Sequence, residues 1–552
     1  MGLKSAGKNK LLIVFFVVVL GIAAFGFLGL EKGVQADPAA RKIRLLWTND
    51  MHGYLRPLYH RDYYDTMSDQ DFISFSKKEG KLGGMAHVAT LVKKLRAEMP
   101  ADTALFDAGD TWHGTGVPLF EEGRSVVRIM NKMGYDAMTP GNVEYLYPKN
   151  VVLQRVKECN FPVIAANLSD MDTDDLVLKP YIVKELNGVR VGVIGLTYQW
   201  AAKTGERALT EGWSFGIREK EVEGFAKELR EKHKCDIVIA ISHMGKGADV
   251  KFASRVKGLD VILGSHTHDL IDPPVEVKNP EGKTTFVCQA GSHGKNLGRL
   301  DLWIKDGKIV RHEHEIYRIR ANEIKPDPEI QKIIDEEYAK YKWMDDVIGK
   351  TKSLLWRRAT WQNTMDNFIT DAYRKMENAD VAFGPAWRFG ATILPGDITV
   401  DDVYNMVPVK DPIWVVGLDG ASIKGVLEGA IDNVLNEDPY LILGGDLIRF
   451  SGMEVWIDTS KPFGRRIVKL LIGGKPYDPN KIYKVATAGG LVQNHPACAS
   501  RTDTGKIAPV ALMEYIKANS PISSQLDGRV KDKDGNILRG QKKFMFMGVP
   551  LY

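Results

Sequence analysis

The chain has 552 residues, 44% of them hydrophobic, with a formal net charge of +5. That length exceeds what one compact core supports, so two domains are the prior. The slight charge, with no dense basic tract carrying interleaved aromatics, argues against nucleic acid as the main partner and leaves a small anionic substrate compatible. Four widely spaced cysteines (Cys159, Cys235, Cys288, Cys498), none in a CxxC pair, argue against a disulfide framework or a zinc ribbon.

In chain order, Lys4, Lys8 and Lys10 precede an uncharged run over residues 11–30, and Val34-Gln35-Ala36 offers a small-residue cleavage pattern. This predicts a signal peptide over 1–36 and a periplasmic or otherwise secreted body. The run is roughly 20 residues, enough to span a bilayer, so an uncleaved inner-membrane anchor is the alternative and the one route to the membrane.

From residue 43 to about 302, short apolar runs alternate with helical patterns. Strand-like runs fall at 43–48, 103–106, 161–165, 236–242 and 259–264, and helical spacing at 86–96 and 125–133. That alternation reads as α/β, with a catalytic domain over 40–324. Asn187-Gly188 between 181–186 and 189–195 marks a hairpin, because both turn residues accept positive φ. The charged stretch 325–350 carries Ile330, Ile333, Ile334 and Tyr338 at helical spacing and reads as an interdomain helix. Residues 351–552 form a second α/β domain, with apolar segments at 413–418 and 482–486.

Five segments present metal-capable side chains where strands are expected to end: Asp50 and His52, Asp110, Asn142, His243, and the pair His266 and His268. Strand ends of open α/β sheets are where ligands gather. Gly53, Gly109, Gly141 and Gly264 beside them allow sharp turns. Any one of these residues alone is more often a surface or hydrogen-bonded core residue; the ordered set is the signal. A mixed oxygen and imidazole donor set suits manganese first, then zinc or iron, over calcium.

This series resembles the calcineurin-like metallophosphoesterases, in the branch containing periplasmic 5′-nucleotidases. The resemblance implies a four-layer β-sandwich with helices outside, followed by a nucleotidase-type α/β domain. It implies two divalent ions, one held by Asp50, His52, Asp110 and His268, the other by Asp110, Asn142, His243 and His266, with Asp110 bridging. The family reads Gly-Asn-His-Glu where this chain has Gly141-Asn142-Val143-Glu144. The absent histidine serves an alkoxide leaving group; a sulfur leaving group, with a thiol pKa of about 8.5 or lower, hardly needs it.

Longer stretches resemble the SoxB thiosulfohydrolases, among them Gly83-Gly84-Met85-Ala86-His87, Asp110-Thr111-Trp112, Gly291-Ser292-His293-Gly294-Lys295, Trp356-Arg357-Arg358, Trp387-Arg388-Phe389-Gly390 and Asp438-Pro439-Tyr440. That family typically has Gly-His-Trp-Glu at 141–144, so Asn142 and Val143 depart from both patterns. The resemblance implies release of sulfate from the S-thiosulfonate on a cysteine of the carrier SoxYZ. Nucleotidases close a nucleobase clamp with a Gly-Gly-Asp-Gly-aromatic motif, absent from Ala488-Gly489-Gly490-Leu491-Val492. Arginines in glycine-rich settings, Arg357, Arg358, Arg388 and Arg449, are expected to bind an anionic substrate, because guanidinium forks match sulfonate and phosphate oxygens. Asp110, Arg388 and Arg449 form the expected catalytic set. For each arginine alone, an ion pair is the competing reading. Whole-chain alternatives are a 5′-nucleotidase or other phosphoesterase, and a noncatalytic binding module on the same scaffold.

Overall fold

The computed structural model describes residues 39–62, 65–490, 492–539, 545–546 and 549–550. The expected signal segment lies outside them. No described helix is long and apolar enough to cross a membrane. From Arg41 onward the chain forms one compact unit.

The first half is built on two mixed sheets. One runs in the order Lys308–Arg318, Asn296–Lys305, Arg41–Thr48, Thr103–Asp107, Ala137–Met138. The other runs Leu270–Lys278, Thr284–Ala290, Val261–Leu263, Ile237–Ser242, Val189–Leu196, Tyr181–Leu186. Successive residues of a strand point to opposite faces, so Leu45 and Leu46 belong to different cores. Ile43, Leu45, Trp47 and Phe106 meet Val191, Val193, Ile239 and Ile241 between the sheets. On the outer side of the first sheet, Leu46 and Leu105 pack with Val88 and Val92 of helix Met85–Glu98 and with Val126 and Met130 of helix Arg124–Met133. On the second, Ile194 and Val238 pack with Leu229 and Phe252 of helices Glu219–Glu231 and Lys246–Arg255. The result is the expected four layers. Burial on both faces explains why the central strands read as continuous apolar runs rather than alternating ones.

The hairpin turns at Asn187 (φ 49°) and Gly188 (φ 67°), as its residues require. Two expectations need correction. Residues 161–165 make isolated bridges only, since Ile164 N donates to Met138 O, Ala165 N to Lys179 O and Ala166 N to Gly195 O, dividing the segment between different neighbours. Within 325–350 the helix covers only Pro328–Ala339, capped by Asp327, and the chain then enters the strand Val347–Thr351. Ile330, Ile334 and Tyr338 insert into the first-half core, which makes this helix a packed layer element.

The second half holds a five-stranded sheet in the order Arg449–Ser451, Val381–Gly384, Ile482–Thr487, Pro412–Asp419, Ser500–Ile507, and a four-stranded sheet around Met453–Ile457. Helices Thr364–Met376 and Ala508–Asn519 cover one side and Gly420–Val434 the other. All four cysteines are free thiols.

Candidate metal centre

Strands Arg41–Thr48, Thr103–Asp107 and Ala137–Met138 run parallel in one sheet; Ile237–Ser242, Val261–Leu263 and Thr284–Ala290 run parallel in the other. Their carboxyl ends share an edge. Each releases its chain into a sharp turn there, and the turns carry the expected ligands. Asp50 (φ 50°), His52 (47°), Asp110 (56°), His266 (70°) and His268 (61°) all adopt the left-handed conformation, as does His293 (61°). Such backbone costs non-glycine residues about 1–3 kcal/mol each, and it persists where the surroundings over-determine it for function.

Two clusters result. Asp50, His52 and His268 form one, Asp110, His243 and His266 the other; in each, the ligand atoms lie within 4.8 Å of one another and every residue is buried. His52 Nε2 approaches His268 Nε2 to 3.0 Å, His268 Nε2 stands 3.3 Å from Asp50 Oδ1, and His243 Nε2 stands 3.2 Å from Asp110 Oδ2. His52 Nε2 lies 3.8 Å from Asp110 Oδ2 and His243 Nε2 3.9 Å from Asp50 Oδ1, so the two clusters are continuous. Asn142 sits beside them, its amide donating to Asp110 Oδ1 at 2.7 Å and its own Oδ1 buried without a hydrogen-bond partner.

These residues fit divalent metal. Hard carboxylate and softer imidazole donors converge, and an orphaned buried amide oxygen points to a missing partner, since buried polar atoms are otherwise satisfied. A second layer holds the donors in place. His243 Nδ1 donates to Ala108 O at 2.6 Å, leaving Nε2 to face the cluster. Glu144 accepts from the amides of Asp110, Thr111, Trp112 and Gly141. Asp107 accepts from Thr48, Gly109 and Thr111. Gly141 is obligatory, because a Cβ there would lie 2.1 Å from Asp110 Oδ1 and 2.6 Å from His243 Cε1.

The electrostatics agree. Burial raises the Asp110 carboxyl, but the charge and hydrogen bond of His243, with His52, overcome it and hold the group down at about 2. Burial lowers His243, and Asp110 and Asp50 outweigh it, raising the imidazole to about 9. His266 and His268 are pushed well below the usual histidine range, by burial first and then by Arg388 and His52 respectively.

The four arginines separate. Arg388 Nη2 reaches His266 Nε2 at 2.8 Å, placing a cation on the metal cluster. Arg358 donates to Thr267 O at 2.8 Å and to Asp446 at 3.3 Å, one layer behind. The expectation that Arg357 and Arg449 bind substrate is corrected. Arg357 spends Nε on Asp366, Nη1 on Phe389 O and Nη2 on Met406 O. Arg449 pairs with Asp366 at 3.1 Å and Asp446 at 3.3 Å and donates to Ala359 O and Thr360 O. Both are consumed in tying together the loops that carry Arg388 and Arg358. Trp112 is core, and His113 stacks edge-on against Tyr147.

Three neighbours were not expected as site residues. Phe389 stacks on His52 (4.6 Å between ring centroids), Tyr198 stacks on His266 (3.9 Å), and His293 rests among His52, His60 and His268 while its amide donates to Asp50 O at 2.7 Å. His293 carries the same signal as the ligands, a strand end flanked by Gly291 and Gly294. Tyr198 also follows a strand. Phe389 had only its proximity to Arg388.

Residues 43–270 match the calcineurin-like phosphoesterase family and residues 347–496 the 5′-nucleotidase C-terminal domain. The chain belongs to the metallophosphoesterase and 5′-nucleotidase superfamily. It is a metal-dependent hydrolase. Protein UshA of Yersinia enterocolitica is 26% identical, with 87% of this chain and 92% of that protein covered. Among solved structures, the sulfate thiohydrolase SoxB of Thermus thermophilus superposes with a TM-score of 0.83 at 26% identity, covering 90% of this chain and 97% of that one. The 5′-nucleotidase precursor of Thermus thermophilus gives 0.77 at 25%, covering 89% and 99%.

Proposed function

We propose that this hydrolase is a thiosulfohydrolase of the SoxB type, acting outside the cytoplasm on the S-thiosulfonate of a cysteine on a SoxYZ-like carrier and releasing sulfate. The observation that carries the reading is Val143. It is buried beside the bridging carboxylate, its amide donating to Asp110 Oδ1 at 2.8 Å, where a phosphoesterase places the histidine that assists an alkoxide leaving group. A valine cannot give a proton. A persulfide leaves without one.

Asp50, His52, Asp110 and His268 would hold one divalent ion and Asp110, Asn142, His243 and His266 the other, manganese before zinc or iron. Bound there, such ions supply Lewis-acid activation of water and neutralise charge on the attacked group. The protein's own side chains do the rest. Arg388, which lies against His266, would hold sulfonate oxygens at the cluster. Burial of the Asp and His ligands excludes bulk water, which strengthens that attraction. The bond between the persulfide and sulfonate sulfurs breaks, a water oxygen joins the sulfonate sulfur, and the electron pair stays on the persulfide.

The aromatic rings of the second half support the same choice. Trp387 stacks on Phe389, and Gly489 lies beside the Trp387 ring, where a Cβ would stand 3.0 Å from Cη2. Among the described residues, no ring other than Phe389 faces Trp387.

The competing reading, a nucleotide phosphoesterase, is favoured by the nucleotidases among the similar proteins and by the 0.77 superposition. Manganese-loaded protein offered thiosulfonated carrier and AMP separately, with sulfate and phosphate measured and Asp110→Ala as control, decides between them. Sulfate release with poor AMP turnover is expected. Vigorous AMP hydrolysis without sulfate overturns the proposal.

A further inference from the structure

His293 is fully buried against His52 and His268, with ring centroids 5.7 and 5.4 Å apart, yet it has no nitrogen to give a metal. Its Nε2 accepts from Gly390 N at 3.4 Å, and its Nδ1 stands 2.6 Å from Ser292 Oγ. A neutral imidazole that accepts at one nitrogen carries its proton on the other, so Nδ1 donates to the serine and both nitrogens are spent. We propose that His293 is a positioning residue, which sets the direction of Arg388 by holding the peptide group that follows it. The proposal rests on the reading above in one respect, that Arg388 holds the anionic end of the substrate.

The peptide group between Phe389 and Gly390 is clamped at both ends. Its carbonyl accepts from Arg357 Nη1 at 2.8 Å, within the second half, while its N–H reaches across to His293 of the first. The plane cannot rotate without losing a buried hydrogen bond. Arg388 precedes it by one residue, so the orientation of that plane decides where the guanidinium arrives, 2.8 Å from His266 Nε2. Gly390 suits the clamp. At φ 145° it holds a conformation that side chains rarely adopt, and a Cβ would stand 3.0 Å from Arg357 Nη1. Two further polar ties to the first half, Thr392 N to Tyr59 O (2.7 Å) and Arg61 N to Thr392 Oγ1 (2.8 Å), pin the loop two residues further on.

His293 is itself firmly anchored. Its backbone sits at φ 61°, its amide donates to Asp50 O at 2.7 Å, and its ring packs against His60 (4.3 Å between centroids) and Tyr54 (4.9 Å). Buried Lys295 fixes His60 in turn, its ammonium lying 3.1 Å from His60 Nδ1 and 2.5 Å from Asp62 Oδ1. One residue thus joins the turn of the ligand Asp50 to the loop of the substrate-holding arginine. A ring kept only to fill the core needs no acceptor at Nε2, and phenylalanine would serve as well.

The test is a double-mutant cycle on the manganese-loaded full chain, with metal content measured for each variant. His293→Phe keeps a ring and removes the acceptor; His293→Gln returns an amide oxygen near the same point. With thiosulfonated carrier, His293→Phe is expected to lower kcat/KM about three- to tenfold, the worth of one hydrogen bond, and His293→Gln to stay within about twofold of wild type, both at unchanged metal content. In an Arg388→Ala background, His293→Phe should have no further effect. A loss there as large as in wild type means that His293 acts independently of Arg388 and overturns the proposal. So does a phenylalanine variant as active as wild type, a glutamine variant as weak as the phenylalanine one, or loss of metal from His293→Phe. Calorimetry with inorganic sulfate reads the same cycle without turnover: wild type should bind about three- to tenfold more tightly than His293→Phe, and the difference should vanish without Arg388. If the carrier is not hydrolysed, the functional reading fails while sulfate still decides the role of His293. Sulfate held equally by wild type and His293→Phe, or by neither, then overturns it.

Discussion

The floor and the roof of the metal centre are built on opposite principles. The floor, from the first half, fixes its donors by backbone: five of the seven project from left-handed residues at the ends of parallel strands. The roof, residues 387–392 of the second half, is held by side-chain and cross-domain contacts. Arg388 meets His266, Phe389 lies on His52, Gly390 N reaches His293 Nε2 at 3.4 Å, and Thr392 N donates to Tyr59 O at 2.7 Å. A floor set by backbone leaves its ligands little freedom to drift. A roof set by ion pairs can be changed in charge and specificity while the metals stay bound.

Four changes separate the two. Removing the carboxylate proposed to bridge the ions, by Asp110→Ala, strikes the floor, and metal content by mass spectrometry should drop with activity lost by about 10³-fold or more. In the roof's supports, Arg449→Ala takes one guanidinium from each of two buried carboxylates, leaving Asp366 with Arg357 and Asp446 with Arg358. That should cost about 1.5–3 kcal/mol in denaturant unfolding with metal content retained when folded. Arg388→Ala removes the roof's charged contact with the cluster; kcat/KM should fall about 10–100-fold at unchanged metal stoichiometry. Loss of metal there would erase the distinction between floor and roof.

The gentlest probe is pH. Metal needs neutral His243, whose imidazole is raised to about 9 in the metal-free protein by Asp110 and Asp50 against the lowering effect of burial. Binding at pH 7 therefore expels a proton, and affinity measured by calorimetry should climb about tenfold per pH unit towards 9, then level. A flat profile would mean that His243 is not a ligand.

The floor was legible because its chemistry is local. A strand end, a glycine and a donor stand together in sequence, so Asp50, His52, Asp110, Asn142, His243, His266 and His268 could be picked out before any fold was known, and the structure brings them together. His293 satisfied the same local rule without being assigned a role. The roof was legible only by residue type. Arginine in a glycine-rich loop looks alike whether it faces substrate or a buried carboxylate, and what separates Arg388 from Arg357 and Arg449 is the tertiary position of Asp366 and Asp446. Short elements failed for the related reason that long-range partners, not propensity, fixed them, as at 161–165.

The turns that present the ligands also consume their lone pairs. Asp50 accepts from Asn49 Nδ2, Ser265 Oγ and the amide of His266, and Asp110 Oδ1 accepts from the amides of Asn142 and Val143. A carboxylate has about four acceptor sites, so Asp50 keeps about one and Asp110 about two, the latter on Oδ2. Calcium fills its larger coordination sphere by taking carboxylates in pairs of oxygens, and needs six to eight donors to do so. Acceptor valence thus acts beside donor type, and both favour ions that take one bond per carboxylate over calcium.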